Sequence, residues 1–321
     1  MKHAFMAFAL LSLALPGHAA GETPAANSSV RFLTHDDGAA DYWPCFSPDG
    51  TKVLFSRSTD GGRTHKLFTV LATGGGLHEI STPSDLSATR ANWSVQDRIA
   101  FTGSAGGKSH VWVMGGNGNS PEELERQGLS DQTLYPSWYP EGTELAVMDA
   151  GVNVVKRFGL TSGTPATNVT NRERILAGMP SVSPNGTTIA FAGQLNGGPY
   201  DQSKNQIWLI DPGHLAQRLE AVPQTPCNPK PACQLALIQG RAPSWSPDGN
   251  RIVFESNRDE DRYAVFVANR DGSGVTRITD PALGANHPAW SRDGRQMVFS
   301  AYRPENPGKT AIAIIDFPAL R

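Results

Sequence analysis

Six stretches of this chain repeat one pattern of strand, tight turn and strand: PCFSPDGTKVLFSRS (44–58), ANWSVQDRIAFTGS (91–104), PSWYPEGTELAVMDA (136–150), PSVSPNGTTIAFAGQ (180–194), PSWSPDGNRIVFESN (243–257) and PAWSRDGRQMVFSAY (288–302). An Asp-Gly between two alternating apolar runs is a strong hairpin signal, because such a turn needs residues that tolerate positive φ. Taken from the Ser position of S-P-D-G (47, 94, 139, 183, 246 and 291), the spacings are 47, 45, 44, 63 and 45 residues. A period of about 40–50 residues with four strands per unit marks a β-propeller. Six units predict an all-β chain with six blades of four antiparallel strands.

The fifth unit shows the order of strands. Pro243–Trp245 leads into the turn, and Arg251–Glu255 alternates apolar and polar. Tyr263–Ala268 forms a third strand and Val275–Thr279 a fourth. The other units predict third strands at 66–71, 110–114, 153–158, 206–211 and 310–317. Fourth strands are predicted at 78–81, 122–126, 167–170 and 217–221. The sixth unit runs out after three. The segment Val30–His35 precedes the first repeat as Val275–Asp280 precedes the sixth, so it is expected to supply the missing strand and close the ring. Closure leaves no bare sheet edge between the first blade and the last.

Phe46, Trp93, Trp138, Trp245 and Trp290, with Val182 in the fourth unit, recur at one position. One large apolar residue per unit is what stacked sheets need between them, which predicts packing anchors. The chain is 321 residues long and 39% hydrophobic, with 33 glycines and 24 prolines, enough for a large core in one turn-rich domain over 29–321. A net charge of −2 with no basic stripe argues against nucleic acid.

The N-terminus reads as a secretory leader. Lys2 and His3 precede the apolar run 4–17, and Gly17-His18-Ala19 offers small residues for cleavage after Ala19. The run is short for a bilayer span. The expectation is a leader over 1–19, a linker over 20–28 and an exported, periplasmic, monomeric propeller. In an oxidising compartment Cys227 and Cys233 are expected to form a disulfide across a short loop. Cys45, beside Phe46 in a strand, reads as a buried thiol.

The units P-x-W-S-P-D-G, F-x-S-x-R-D and G-S-G-V-T-R-I-T-D resemble the WD40-like propeller repeats of the TolB family over about residues 29–321. The resemblance implies a six-bladed propeller and a role at the periplasmic cell envelope with a protein partner. TolB carries an α/β domain before its propeller, and this chain is expected to be the propeller alone.

Strand alternation puts the S-P-D-G turns on one face and the longer loops on the other, where binding sites gather on rigid scaffolds. The longest insertions fall in the fourth unit, at Leu195–Asn205 and Val222–Gly240, and a Pro/Gly-rich loop is expected at Arg303–Lys309. The residues just before each repeat open on the loop face at the axis. They give a candidate binding mouth of Tyr42, Trp43, Arg90, Tyr135, Arg241 and His287.

No G-x-S-x-G elbow and no H-E-x-x-H occurs. Gly103-Ser-Ala-Gly-Gly-Lys-Ser is one residue short of a phosphate loop and sits in a hairpin. Asp49, Asp248 and Asp293 read as turn residues. No cofactor or metal is expected. The favoured function is a non-enzymatic scaffold that binds an envelope protein or peptide. The alternative is a lyase- or glycosidase-type enzyme, or a sugar-binding protein, with its site in the axial channel. That alternative calls for a Glu or paired carboxylates at the mouth, and none was placed there from sequence.

Overall fold

The computed structural model describes residues 30–161, 163–211, 238–258 and 261–317. Its strands in chain order are β1 (Arg31–Phe32); β2 (Ala40–Phe46), β3 (Lys52–Ser58), β4 (Lys66–Leu71) and β5 (His78–Ile80) in blade one; β6 (Ser87–Trp93), β7 (Arg98–Ala105), β8 (Lys108–Gly115) and β9 (Glu122–Glu123) in blade two; and β10 (Thr133–Trp138), β11 (Glu144–Asp149), β12 (Val154–Gly159) and β13 (Thr167–Asn168) in blade three. Then come β14 (Ile175–Val182), β15 (Ile189–Leu195) and β16 (Gln206–Ile210) in blade four; β17 (Arg241–Trp245), β18 (Arg251–Ser256), β19 (Ala264–Asn269) and β20 (Thr276–Arg277) in blade five; and β21 (Asn286–Trp290), β22 (Gln296–Arg303) and β23 (Asn306–Asp316) in blade six. Each sheet is antiparallel and pairs its strands in sequence order, the last sheet taking β1 as its outer strand.

Closure follows the expectation. Arg31 pairs with Ile314 and Phe32 with Ala313. Leu33 N–H donates to Ile312 O at 2.7 Å, and Thr34 Oγ1 accepts from Ile312 N at 2.9 Å. Thr170 and Thr279 accept from Val155 and Val265 in the same way, so a Leu, Val or Ile followed by Thr is a shared end to the outer strand.

Six apolar clusters hold the ring, one at each junction. Leu54, Leu67 and Ile80 of blade one meet Leu86, Ile99 and Phe101 of blade two. The series runs on around to Ile312 and Ile314 of blade six, which meet Val53 and Phe55 of blade one. The repeated aromatics sit in these junctions. Trp138 Nε1 donates to Asn92 O and Trp245 Nε1 to Ser181 O, each across to the preceding blade at 3.0 Å. Burying one such ring contributes about 3 kcal/mol.

The turns owe their shape to one hydrogen-bond set. Ser47 Oγ donates to Asp49 Oδ1 at 2.6 Å and accepts from Lys52 N, while Asp49 Oδ1 also accepts from Thr51 N. Ser246–Asp248, Ser291–Asp293 and Ser183–Asn185 repeat it. The hydroxyl of Ser47 and the donors of Thr51 hold the Asp49 carboxyl down at about 2. Gly50, next in the turn, has φ 72°, as a residue without Cβ permits.

One predicted loop differs, and one predicted strand lies outside the described residues. Arg303–Lys309 is not an open loop: β22 and β23 extend through it, with Arg303 paired to Asn306. Arg303 and Asn306 both bond Asp37, which ties this hairpin to the segment after β1. In blade four the predicted strand 217–221 lies outside the described residues. There Ile238 O accepts from Ile207 N at 2.8 Å and Gln239 bridges Gln206, so the chain entering blade five lies against the outer side of β16.

Candidate functional site: the axial channel mouth

The first strand of every blade lines the axis. Each breaks its pairing with the second strand at one place. Tyr42 pairs with Ser56 and Cys45 with Leu54, so Trp43 and Pro44 together oppose Phe55. The same two-against-one bulge recurs in the other five blades, opposite Phe101, Val147, Phe191, Phe254 and Phe299. These six opposing residues are almost completely buried. At each bulge the first residue is left-handed: Trp43, Arg90, Tyr135, Met179, Ala242 and His287 have φ between 49° and 55°. Non-glycine residues rarely adopt this conformation, and bulges of this kind re-aim side chains beside functional sites. Proline follows in five of the six, where an unpaired position loses nothing by lacking an N–H. The repeated P of the sequence pattern is thus the second residue of a bulge.

These six left-handed residues ring a cavity of about 130 Å³ at the loop-face end of the channel. The other end, below the tryptophans, opens into a cavity of about 400 Å³. The lining of neither contains an Asp or Glu.

All six candidate residues are half-buried; Trp43, Arg90, Tyr135 and His287 line this cavity, and Tyr42 and Arg241 are not in its lining. The Arg90 guanidinium lies between two rings, 4.6 Å from the centroids of both Trp43 and Tyr135. Trp43 meets Tyr42 at 5.3 Å and His287 at 5.5 Å. Arg241 stacks on Tyr263 at 4.4 Å and reaches Gln202.

Sequence reading missed five participants. Glu255, on β18, is fully buried and bonds Arg241 Nε with one oxygen and the His287 backbone N–H with the other. It lies on the second strand, outside the cavity lining and outside the first-strand positions that sequence reading considered. Its register equivalents are Ser56, Thr102, Met148, Ala192 and Ser300, so a carboxylate among small or neutral residues was the available signal. Thr102 does the same job, accepting from Tyr135 N at 3.3 Å. His65 packs on Tyr42 and Trp43, and Tyr200 bonds Asn205. His65 and Tyr263 occupy one repeat position, just before the third strand, which opens on the same face.

Both histidines are held in the neutral form. Burial drives the His287 imidazole down to about 4; Glu255 opposes this, and Arg241 and Arg90 reinforce it. His65 is lowered by burial and by Arg90. Burial pushes the Cys45 thiol up to about 12, which makes it inert. Among the described residues no cluster of His, Cys, Asp or Glu could hold a metal ion, and Cys227 and Cys233 lie outside those residues.

No protein-family model matches the chain, and no curated protein matches it. Solved structures do. A putative TolB from Agrobacterium tumefaciens aligns with a TM-score of 0.59 at 20% identity, over 87% of this chain and 90% of that one. TolB from Acinetobacter baumannii aligns at 0.55 and 16% identity, over 74% of this chain and 53% of that one. An oligogalacturonate lyase from Vibrio parahaemolyticus aligns at 0.53 and 13% identity, over 92% and 95%. The likeness is one of fold: a TolB-like six-bladed β-propeller.

Proposed function

We propose that this propeller is a non-enzymatic binding scaffold of the periplasmic cell envelope, and that its channel mouth takes a peptide segment of a protein partner. The observation that carries the reading is the ring of six bulges. They hold Trp43, Arg90, Tyr135 and His287 at fixed backbone positions around one opening. Rigid aromatic and arginine side chains around a small cavity are the usual anchors for a peptide. The export signal read at 1–19 and the TolB-like fold support the compartment.

The second reading, a channel enzyme or sugar-binding protein, draws on Glu255 beside His287 and on the likeness to a lyase fold. Glu255 is engaged on both oxygens and stands outside the cavity lining, which among the described residues holds no carboxylate, so acid–base chemistry is left with one occupied group. Affinity capture from an envelope extract tests the first reading. Wild type should retain a partner that Trp43→Ala loses; identical partner sets would count against this mouth.

A further inference from the structure

Resting on the peptide-binding reading, we propose that the mouth holds a carboxylate subsite, with Arg90 as its anchor, for an acidic side chain of the bound segment. The argument begins with the hydrogen bonds Arg90 does not make. A guanidinium has five N–H donors. Arg90 uses Nη1 on Thr89 Oγ1 at 3.0 Å, and its Nε–H is buried without a partner. The Trp43 indole N–H, stacked against it, is also buried and unpartnered. Buried donors left unmet are rare and costly, so two of them side by side at a cavity call for an acceptor.

Charge points the same way. Carboxylates on the elements around the mouth are already taken: Glu255 by Arg241 and the His287 N–H, Asp41 by a two-pronged bond from Arg57, and Asp60 by Ser58 and Thr64. The two histidines are neutral at pH 7. Arg241 is compensated by Glu255, whereas Arg90 pairs with no carboxylate among the described residues. The mouth therefore carries one uncompensated positive charge in a setting shielded by rings, where attraction to an anion is stronger than in bulk water.

Shape narrows the class. Trp43 and Tyr135 clamp the guanidinium by its faces, which fixes its plane and leaves its Nη2 end for an oxyanion. A cavity of about 130 Å³ suits one side chain and excludes a folded domain.

The test uses two pools of end-blocked heptapeptides. They are identical except for an aspartate or an asparagine at the centre, the other positions being an uncharged mixture. The readout is the indole N–H resonance of Trp43, assigned with Trp43→Phe. The aspartate pool should shift it at about tenfold lower concentration than the asparagine pool. Arg90→Gln should erase that difference and Arg90→Lys should keep part of it, with unchanged melting temperatures showing that both variants fold. If both pools act equally on wild type, peptide binding stands and the carboxylate subsite is wrong. If neither acts, both ideas fail for this mouth.

Discussion

The backbone N–H of His287 donates to Glu255 Oε2 across the boundary between blades five and six, while Arg241 holds the other oxygen of that carboxylate. One buried acid thus ties a left-handed residue of one blade to the start of another, at the rim of the channel.

Removing that acid should be expensive. Glu255→Ala leaves a largely buried Arg241 and the His287 N–H without their acceptor. A loss of about 3 kcal/mol is expected, read as a lower urea midpoint at unchanged slope. Glu255→Gln keeps an acceptor for one of the two and should cost less. Equal stability of all three proteins would remove Glu255 from its structural role.

Acid should weaken the fold through His287. Its folded value of about 4 lies below the ordinary 6.5, so the unfolded chain takes up a proton that the native one refuses. Stability is complete above about pH 6.5 and falls as pH drops toward 4, by roughly 2–3 kcal/mol. Glu255, Arg241 and Arg90 face the ring, and the nearby His65 titrates in the same sense. Urea midpoints between pH 7 and pH 4.5 should slope less in His287→Gln; an unaltered slope would contradict this assignment.

The junction between first and last strands should control the whole domain. Leu33 is 5% exposed, inside the cluster shared by blades six and one. Leu33→Ala should cost about 2–4 kcal/mol. Deleting residues 28–36 should lower the melting temperature further, because it bares the edge of β23. A truncated protein that melts like the intact one would mean the ring does not depend on this strand.

Glycine should help at one place where it normally harms. Ala242 sits at φ 49° in the bulge of blade five, and its small side chain buries little. The left-handed conformation costs an ordinary residue about 1 kcal/mol or more. Ala242→Gly should therefore be neutral or stabilising by up to about 1 kcal/mol, against the usual destabilisation. A drop in melting temperature would show that the bulge carries no such strain.

Much of this architecture is readable because its signals are local. Ser-Pro-Asp-Gly names a turn, Trp245 names a junction, and Val30–His35 copies the end of the outer strand. The channel was partly readable by repeat position: of the residues read from sequence, Trp43, Arg90, Tyr135 and His287 line one cavity, whereas Tyr42 and Arg241 are not in its lining. The bulge itself was hidden, since it exists only in how two strands align. Glu255 was hidden for a related reason. In Arg-Ile-Val-Phe-Glu it looks like the polar step of an alternating strand, and only the neighbouring blade shows what its oxygens meet.

The sealing sheet also sets an order of events. Thr34 and Ile312, bonded in the finished domain, lie 278 residues apart. During synthesis Phe32 and Leu33 emerge early and wait, their apolar side chains unmatched, until residues 306–316 are delivered. Pairings this distant in sequence form slowly. A nascent or interrupted chain therefore presents a sticky, half-built edge open to chaperones or proteases, and only a chain made through β23 can hide it.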